Sequence, residues 1–377
     1  MKRRFSKSSF ARTFSLTLAA IAVVASADVF LAKAERAANQ QEAARFFANG
    51  QKLLRKGENA QAVEQFRSAL SLDRDNPDDQ LALGQALFAA GRLNDARAAL
   101  ETLLEENSFS GPGNLAMARV LVKQDAVNQA TFYYHRAIYG EWKENAGSNP
   151  VSVRLELAGL LSRQISKAED LKAQNLRESL LAELLPLEDE APGDPATRKQ
   201  LGWWFLAAGS PNRAATVFRM VLHELPGDAE AYAGMGQAEF AEGNYGVARA
   251  DFQMAVRLRP GDWDSENRLK ECERVLELNP RQVGLSAEQE TARSRKLLEA
   301  VLDDLRQCIG PSPAAPAQDL IAQDLIETAE RNLKRPATSA ANIEIAERLW
   351  QMRKASCGAA LTAAEEPLEL VLAKLAQ

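Results

Sequence analysis

A period of 34 residues runs through most of this chain, and it narrows the possible folds to those that stack one supersecondary unit on the next. In a frame that starts at Ala43, the eighth place reads Gly50, Gly84 and Ala118, and the twentieth reads Ala62, Ala96 and Ala130. The fifteenth place reads Gly57, Gly91 and Asp125, and the twenty-fourth reads Phe66, Leu100 and Tyr134. The frame returns at Pro195 with Gly202, Gly209, Ala214 and Phe218, and again at Ala229 with Gly236, Gly243, Ala248, Phe252 and Pro260.

Each column has a physical reason. Small residues at the eighth and twentieth places let two helices cross closely, where a larger side chain would hold them apart. A glycine at the fifteenth place ends the first helix in the left-handed conformation that glycine adopts without strain. An aromatic at the twenty-fourth fills the wedge against the next unit, and proline near the thirty-second stops the second helix. These residues resemble the tetratricopeptide repeat, a helix–turn–helix unit, over about residues 43–280. Departures from the pattern are Arg74, Ser108 and Trp142, where the family prefers proline.

The expected fold is all-α: a right-handed helix–turn–helix solenoid with a smaller non-repeat helical domain at its C-terminus. Residues 1–27 read as a signal peptide, 28–42 as a leading helix, 43–144 as three repeat units and 195–262 as two more. Between them, 145–194 is an irregular fourth unit, whose surplus residues are placed in the polar stretch 165–174. Residues 263–284 read as a capping helix with charges where apolar residues would be, and 285–377 lack the period. In that last stretch, helical patterns run over 287–309, 318–334, 339–356 and 367–376, and a proline-rich loop at 310–316 separates the first two.

The first residues read as an address. Lys2, Arg3, Arg4, Lys7 and Arg12 precede the eleven mostly apolar residues 14–24, and Ala25-Ser26-Ala27 offers small residues where a signal peptidase cuts. Eleven helical residues reach about half of a ~30 Å hydrocarbon core. The pattern therefore implies an exported chain in the periplasm or cell envelope; the alternative is an uncleaved membrane anchor over residues 14–34.

Composition excludes several function classes. The chain carries 46 basic and 51 acidic residues, a net charge of −5, with five of the cations in the first 13 residues. An acidic body without a basic run is a poor nucleic-acid binder. Two histidines (His135 and His223, on separate second helices) and three cysteines do not make a common metal motif, so no metal or cofactor is expected. The acid-rich stretch 73–79 lacks the glycine and distal glutamate of a calcium loop and reads as a solvated turn. In an exported chain, Cys308 and Cys357, both at helix ends, are expected to form a disulfide across a 49-residue spacing, with two reduced buried thiols as the alternative; Cys272 reads as a packed thiol.

No catalytic motif is present, so the chain reads as a non-enzyme. What the architecture does supply is a groove. The resemblance implies that the second, fifth, ninth and twelfth places of each first helix face a ligand. Those rows give Phe47, Gln51, Leu81, Gln85, Phe88, Leu115, Arg119 and Val122 in the first three units, and Trp203, Leu206, Gln237 and Phe240 in the later two. Apolar side chains beside an amide row suit an extended peptide or an amphipathic helix. A helix of this chain folding back from 285–377 is the competing occupant. The family's carboxylate clamp uses Lys and Asn where this chain has Phe47, Gln51, Leu81 and Gln85, so that ligand is not expected. The expected function is a protein-binding scaffold of the cell envelope; the alternatives are a lipid or glycan carrier, or an enzyme using acids such as Asp303, Asp304 and Glu344 of the C-terminal segment.

Overall fold

The computed structural model describes residues 7–143, 145–309, 318–335, 337–357 and 366–375, with side chains outside 7–25, 27 and 318–322. Residues 1–6, the side chains of the apolar run and the proline-rich loop 310–316 thus lie outside the described residues. Among the described residues there are seventeen helices and no strand. The chain divides into two compact units, one up to Leu157 and one from Ala158.

In the first unit, α1 (Lys7–Arg55) joins the expected leading helix and the first repeat helix in one element, and its end packs on α2 (Asn59–Leu72). The pairs α3 (Pro77–Ala89) with α4 (Leu93–Glu106) and α5 (Gly111–Lys123) with α6 (Val127–Ile138) follow. Helix α7 (Ser148–Ile165) begins here and crosses the division.

The columns have the geometry their chemistry calls for. The turns at Gly57, Gly91 and Asp125 carry φ of 78°, 74° and 58°, so each first helix ends in the left-handed region. A Cβ on Gly50 would stand 2.7 Å from the Phe66 ring, and one on Gly84 2.6 Å from Leu100. The small residue therefore admits the twenty-fourth side chain of its own unit, and Phe66 and Leu100 are fully buried there. Trp142, standing where proline is usual, closes the third repeat differently. Its indole donates to the Ala137 carbonyl at 2.9 Å and lies over Gly111, while Gly111 N–H donates to the Glu141 carbonyl at 2.9 Å.

Asn76 caps α3 by accepting from the backbone N–H groups of Asp78 and Asp79, but Asp79 itself is 3% exposed rather than part of a solvated turn. Burial, with Asp73 and Asp78 adding repulsion, pushes its carboxyl up to about 6.

The second unit opens with the rest of α7 and α8 (Asp170–Glu190), followed by α9 (Pro195–Ala207), α10 (Pro211–Glu224), α11 (Ala229–Ala241), α12 (Tyr245–Leu258) and α13 (Trp263–Leu278). The surplus of the irregular fourth unit is only partly in the stretch 165–174. It lengthens α7 to 18 residues and α8 to 21, against 12 to 14 in α2 to α6, and leaves a short connection at 166–169. The repeat chemistry recurs in α9 to α12: Gly209 and Gly243 have φ of 74° and 75°, and a Cβ on Gly202 would meet the Phe218 ring at 2.6 Å. The same ring would meet a Cβ on Gly234 of the next repeat, so Phe218 is wedged between two glycines.

Helices α14 (Ala287–Ile309), α15 (Gln318–Lys334), α16 (Ser339–Cys357) and α17 (Glu366–Leu375) complete the chain. They do not form a core of their own. One buried cluster runs from Phe240, Tyr245 and Phe252 through Cys272 and Val275 to Leu298, Leu302, Trp350 and Leu372. The amphipathic face of α17 (Leu368, Val371, Leu372, Leu375) is buried in that cluster, with α17 packed on α13. Lys374 Nζ donates to the Gly243 carbonyl at 2.6 Å and lies over the Tyr245 ring. Cys308 and Cys357 are paired, with 6.1 Å between their Cα atoms, tying the end of α14 to the end of α16, and Cys272 is a buried free thiol.

Candidate functional site

In the first unit the members of the predicted rows differ in exposure. Gln51, Gln85 and Arg119 are exposed, while Phe47, Leu81, Phe88, Leu115 and Val122 are half-buried. These are not equally free. The Phe47 ring packs edge-on against Phe66 at 5.7 Å, so part of it belongs to the helix pair beneath. The Arg119 guanidinium grips the Glu156 carboxylate in two parallel hydrogen bonds of 3.0 and 2.8 Å, and the Tyr134 hydroxyl donates to the same carboxylate at 2.6 Å. That bond to Glu156 raises the Arg119 pKa further, so the row's charge is fixed and already engaged.

In the second unit, α9, α11 and α13 line an open cleft of about 930 Å³, a volume in the range of ligand sites. Trp203, Ala233 and Gln237 come from the repeats, and Glu366 and Pro367 at the start of α17 form part of the wall. Trp203 is half-buried, edge-on to Phe218 at 5.4 Å, and its indole N–H donates to Glu230 at 3.2 Å. Lys199 at the fifth place is tied to Asp228 at 2.9 Å and Glu230 at 2.8 Å. Burial alone would lower its pKa, but the hydrogen bonds to Glu230 and Asp228 outweigh that and raise it. Leu206 is half-buried on the same helix as Trp203.

Phe240 departs from the expectation. It is 9% exposed, edge-on to Tyr245 at 5.2 Å and covered by the Arg268 guanidinium at 5.0 Å from its centroid. It therefore belongs to the shared core and not to the accessible rows. At that end of the repeats α17 seats on α13 and on the Gly243–Tyr245 turn, while the cleft beside Trp203 stays open. The acids of the C-terminal segment are structural where their partners are seen, since Asp304 is ion-paired at 3.1 Å with Arg353, itself 4% exposed.

The cleft also gathers residues that the sequence frame treated as a cap: Trp263, Asn267, Lys270 and Arg274 on α13. The signal for them was present, because they recur at helical spacing on one face of α13.

Residues 53–112 and 200–262 each match family models of the tetratricopeptide repeat. The chain carries tetratricopeptide repeats. No curated protein matches it in sequence. Among solved structures, the repeat protein is similar to YrrB, described as a tetratricopeptide-repeat protein with an unusual peptide-binding site, at 18% identity; the match covers 55% of this chain and 99% of YrrB with a TM-score of 0.45. It is similar to the C-terminal part of a repeat-containing protein from Cytophaga hutchinsonii at 15% identity, over 67% of this chain and 94% of that one, TM-score 0.44. A third is the TPR2AB domain of yeast Sti1 in complex with pHSP90, at 11% identity, over 78% and 98% of the two chains, TM-score 0.30.

Proposed function

We propose that this tetratricopeptide-repeat protein is a non-enzymatic scaffold of the cell envelope that holds a segment of another protein against the first helices of its repeats. The observation that carries this reading is the open cleft of the second unit. It presents a half-buried indole at Trp203 and an amide at Gln237, with 930 Å³ left free between α9, α11 and α13. Aromatic anchors in grooves carry a disproportionate share of interface energy, and amides pair with any peptide backbone. Trp203→Ala should weaken partner binding by about 2 kcal/mol, roughly thirtyfold, with little change in melting. Equal losses of binding and of melting temperature would make Trp203 a core residue and remove the reading.

Export is the second part of the proposal. It rests on the basic start, the apolar run and Ala25-Ser26-Ala27. N-terminal sequencing of chain recovered from an envelope fraction should begin at Asp28. Full-length chain in washed membranes would mean an anchor over 14–34, and recovery in the cytosol would contradict both.

A further inference from the structure

The geometry of α13 points to an acidic partner segment, one that lays its carboxylates against Lys270 and Arg274. This deepens the groove reading and rests on it. Trp263, Asn267, Lys270 and Arg274 stand at i, i+4, i+7 and i+11, hence in one stripe along the helix, and all four line the cleft. Trp263 is 72% exposed, a large apolar area to leave to water. Lys270 and Arg274 are exposed, and neither has an ion-pair partner among the described residues.

The acids in the same cleft are differently placed. Glu230 is held by Lys199 and by the Trp203 indole, Glu271 is paired with Arg268 at 2.7 Å, and Asp262 accepts from the Ser265 hydroxyl at 2.7 Å. A cation entering the cleft would have to compete with Lys199 or Arg268 for those carboxylates. A carboxylate arriving at Lys270 and Arg274 breaks no close ion pair, although Arg274 also feels the charge of Glu277, which is itself paired with Lys296. Asp264, with no partner of its own in the cleft, stands beside Trp263 and, at 1.5 Å per residue, about 9 and 15 Å along the axis from the two cations. Glu366 lines the wall, and Arg259 also faces the cleft. The stripe therefore has a direction: aromatic, amide, then two cations. From Trp263 to Arg274 it spans about 16 Å, the length of about five residues of extended chain. The fitting ligand seats an apolar side chain on Trp263 and Trp203 and offers carboxylates three to five residues further along, with its backbone on the amides of Gln237 and Asn267.

Three dye-labelled pools of decapeptides test this on the full chain by fluorescence anisotropy. Each pool is randomised over apolar residues in its first half and fixed in its second half as Asp/Glu, as Asn/Gln or as Lys. Amide-capped and free-acid versions separate side-chain carboxylates from a chain terminus. The acidic pool should bind at least tenfold tighter than the amide pool and weaken as salt rises. Lys270→Ala and Arg274→Ala should each lose about fivefold, as an exposed ion pair does, with melting unchanged. Equal or tighter binding of the amide or lysine pool would overturn the inference while leaving the groove reading intact. No peptide binding of any charge would overturn both.

Discussion

A Cβ on Gly84 would stand 2.6 Å from the Leu100 side chain, and one on Gly202 2.6 Å from the Phe218 ring, closer than real Cβ contacts come. The large residue opposite is fully buried in each case, so it has nowhere to retreat. Gly84→Ala and Gly202→Ala should therefore destabilise by about 1–3 kcal/mol, although alanine is the better helix former. Gly246 also lies in a helix but has nothing within 4 Å of its would-be Cβ, so Gly246→Ala should be neutral or slightly stabilising. Ala214→Leu and Ala248→Leu, at fully buried places, should behave like the first pair. Thermal unfolding of the five variants decides it; wild-type melting of Gly202→Ala and Ala214→Leu would mean that the register is wrong. A second residue-scale effect concerns pH. Asp79 in the first unit and Asp251 in the second are both pushed up to about 6, in each case chiefly by burial. The folded pKa lies above the unfolded one of 3.8, so the native state holds the proton longer, and stability falls as pH rises from about 4 to 6. Asp79→Asn should remove that slope locally. It should raise stability at pH 7.5 by about 1 kcal/mol and change little at pH 4, as followed by urea unfolding at the two pH values.

At the scale of elements, the columns of glycine, alanine and aromatic residues were legible in the sequence because each is imposed by contacts within one unit or between neighbours. The non-repeat helices at 287–309 and 318–334 were legible from their apolar periodicity, and the structure ends them at the same residues. Two features were not. The fourth unit's surplus, placed by the sequence in 165–174, is divided between the connection 166–169 and longer flanking helices, because the stretch from 167 holds Lys, Ala, Glu and Leu and no breaker. Phe240 occupies the place that faces outward in other repeats, but Tyr245, Arg268 and the non-repeat cluster bury it, and a repeat frame carries no information about a non-repeat neighbour. Removing the buried ring should show this: Phe240→Ala should cost about 3 kcal/mol or more of stability and lower the melting temperature, where Trp203→Ala does not. The bridge between α14 and α16 makes its own prediction. Closing a 49-residue loop limits the unfolded chain enough to contribute about 4 kcal/mol in the chain-entropy model. Cys357→Ser should lower stability by up to that amount under oxidising conditions and by little in the presence of a reductant. Non-reducing peptide mapping should link the peptides carrying 308 and 357 and leave Cys272 alkylatable only after unfolding, since burial pushes its thiol up to about 12.

At the scale of the whole molecule, the repeat frame pointed to the accessible rows but not to which of their members remain free. Arg119 is engaged by Glu156, Lys199 by Asp228 and Glu230, and Phe240 by the core, leaving Trp203 and Gln237 beside the open cleft. Those engagements come from residues outside the columns, such as Glu156 and Arg268, which no periodicity announces. The proposed function puts the binding side chains on a cleft separate from the buried core. Binding and folding should therefore respond to different substitutions. The direct measurement is to select a binding peptide from a display library on the full chain, then titrate it against wild type, Trp203→Ala and Phe240→Ala, and to melt the same three proteins. Trp203→Ala should lose roughly thirtyfold in affinity with its melting unchanged, and Phe240→Ala should melt early; a Trp203→Ala protein that binds like wild type, or that loses binding only in step with its stability, would contradict the account.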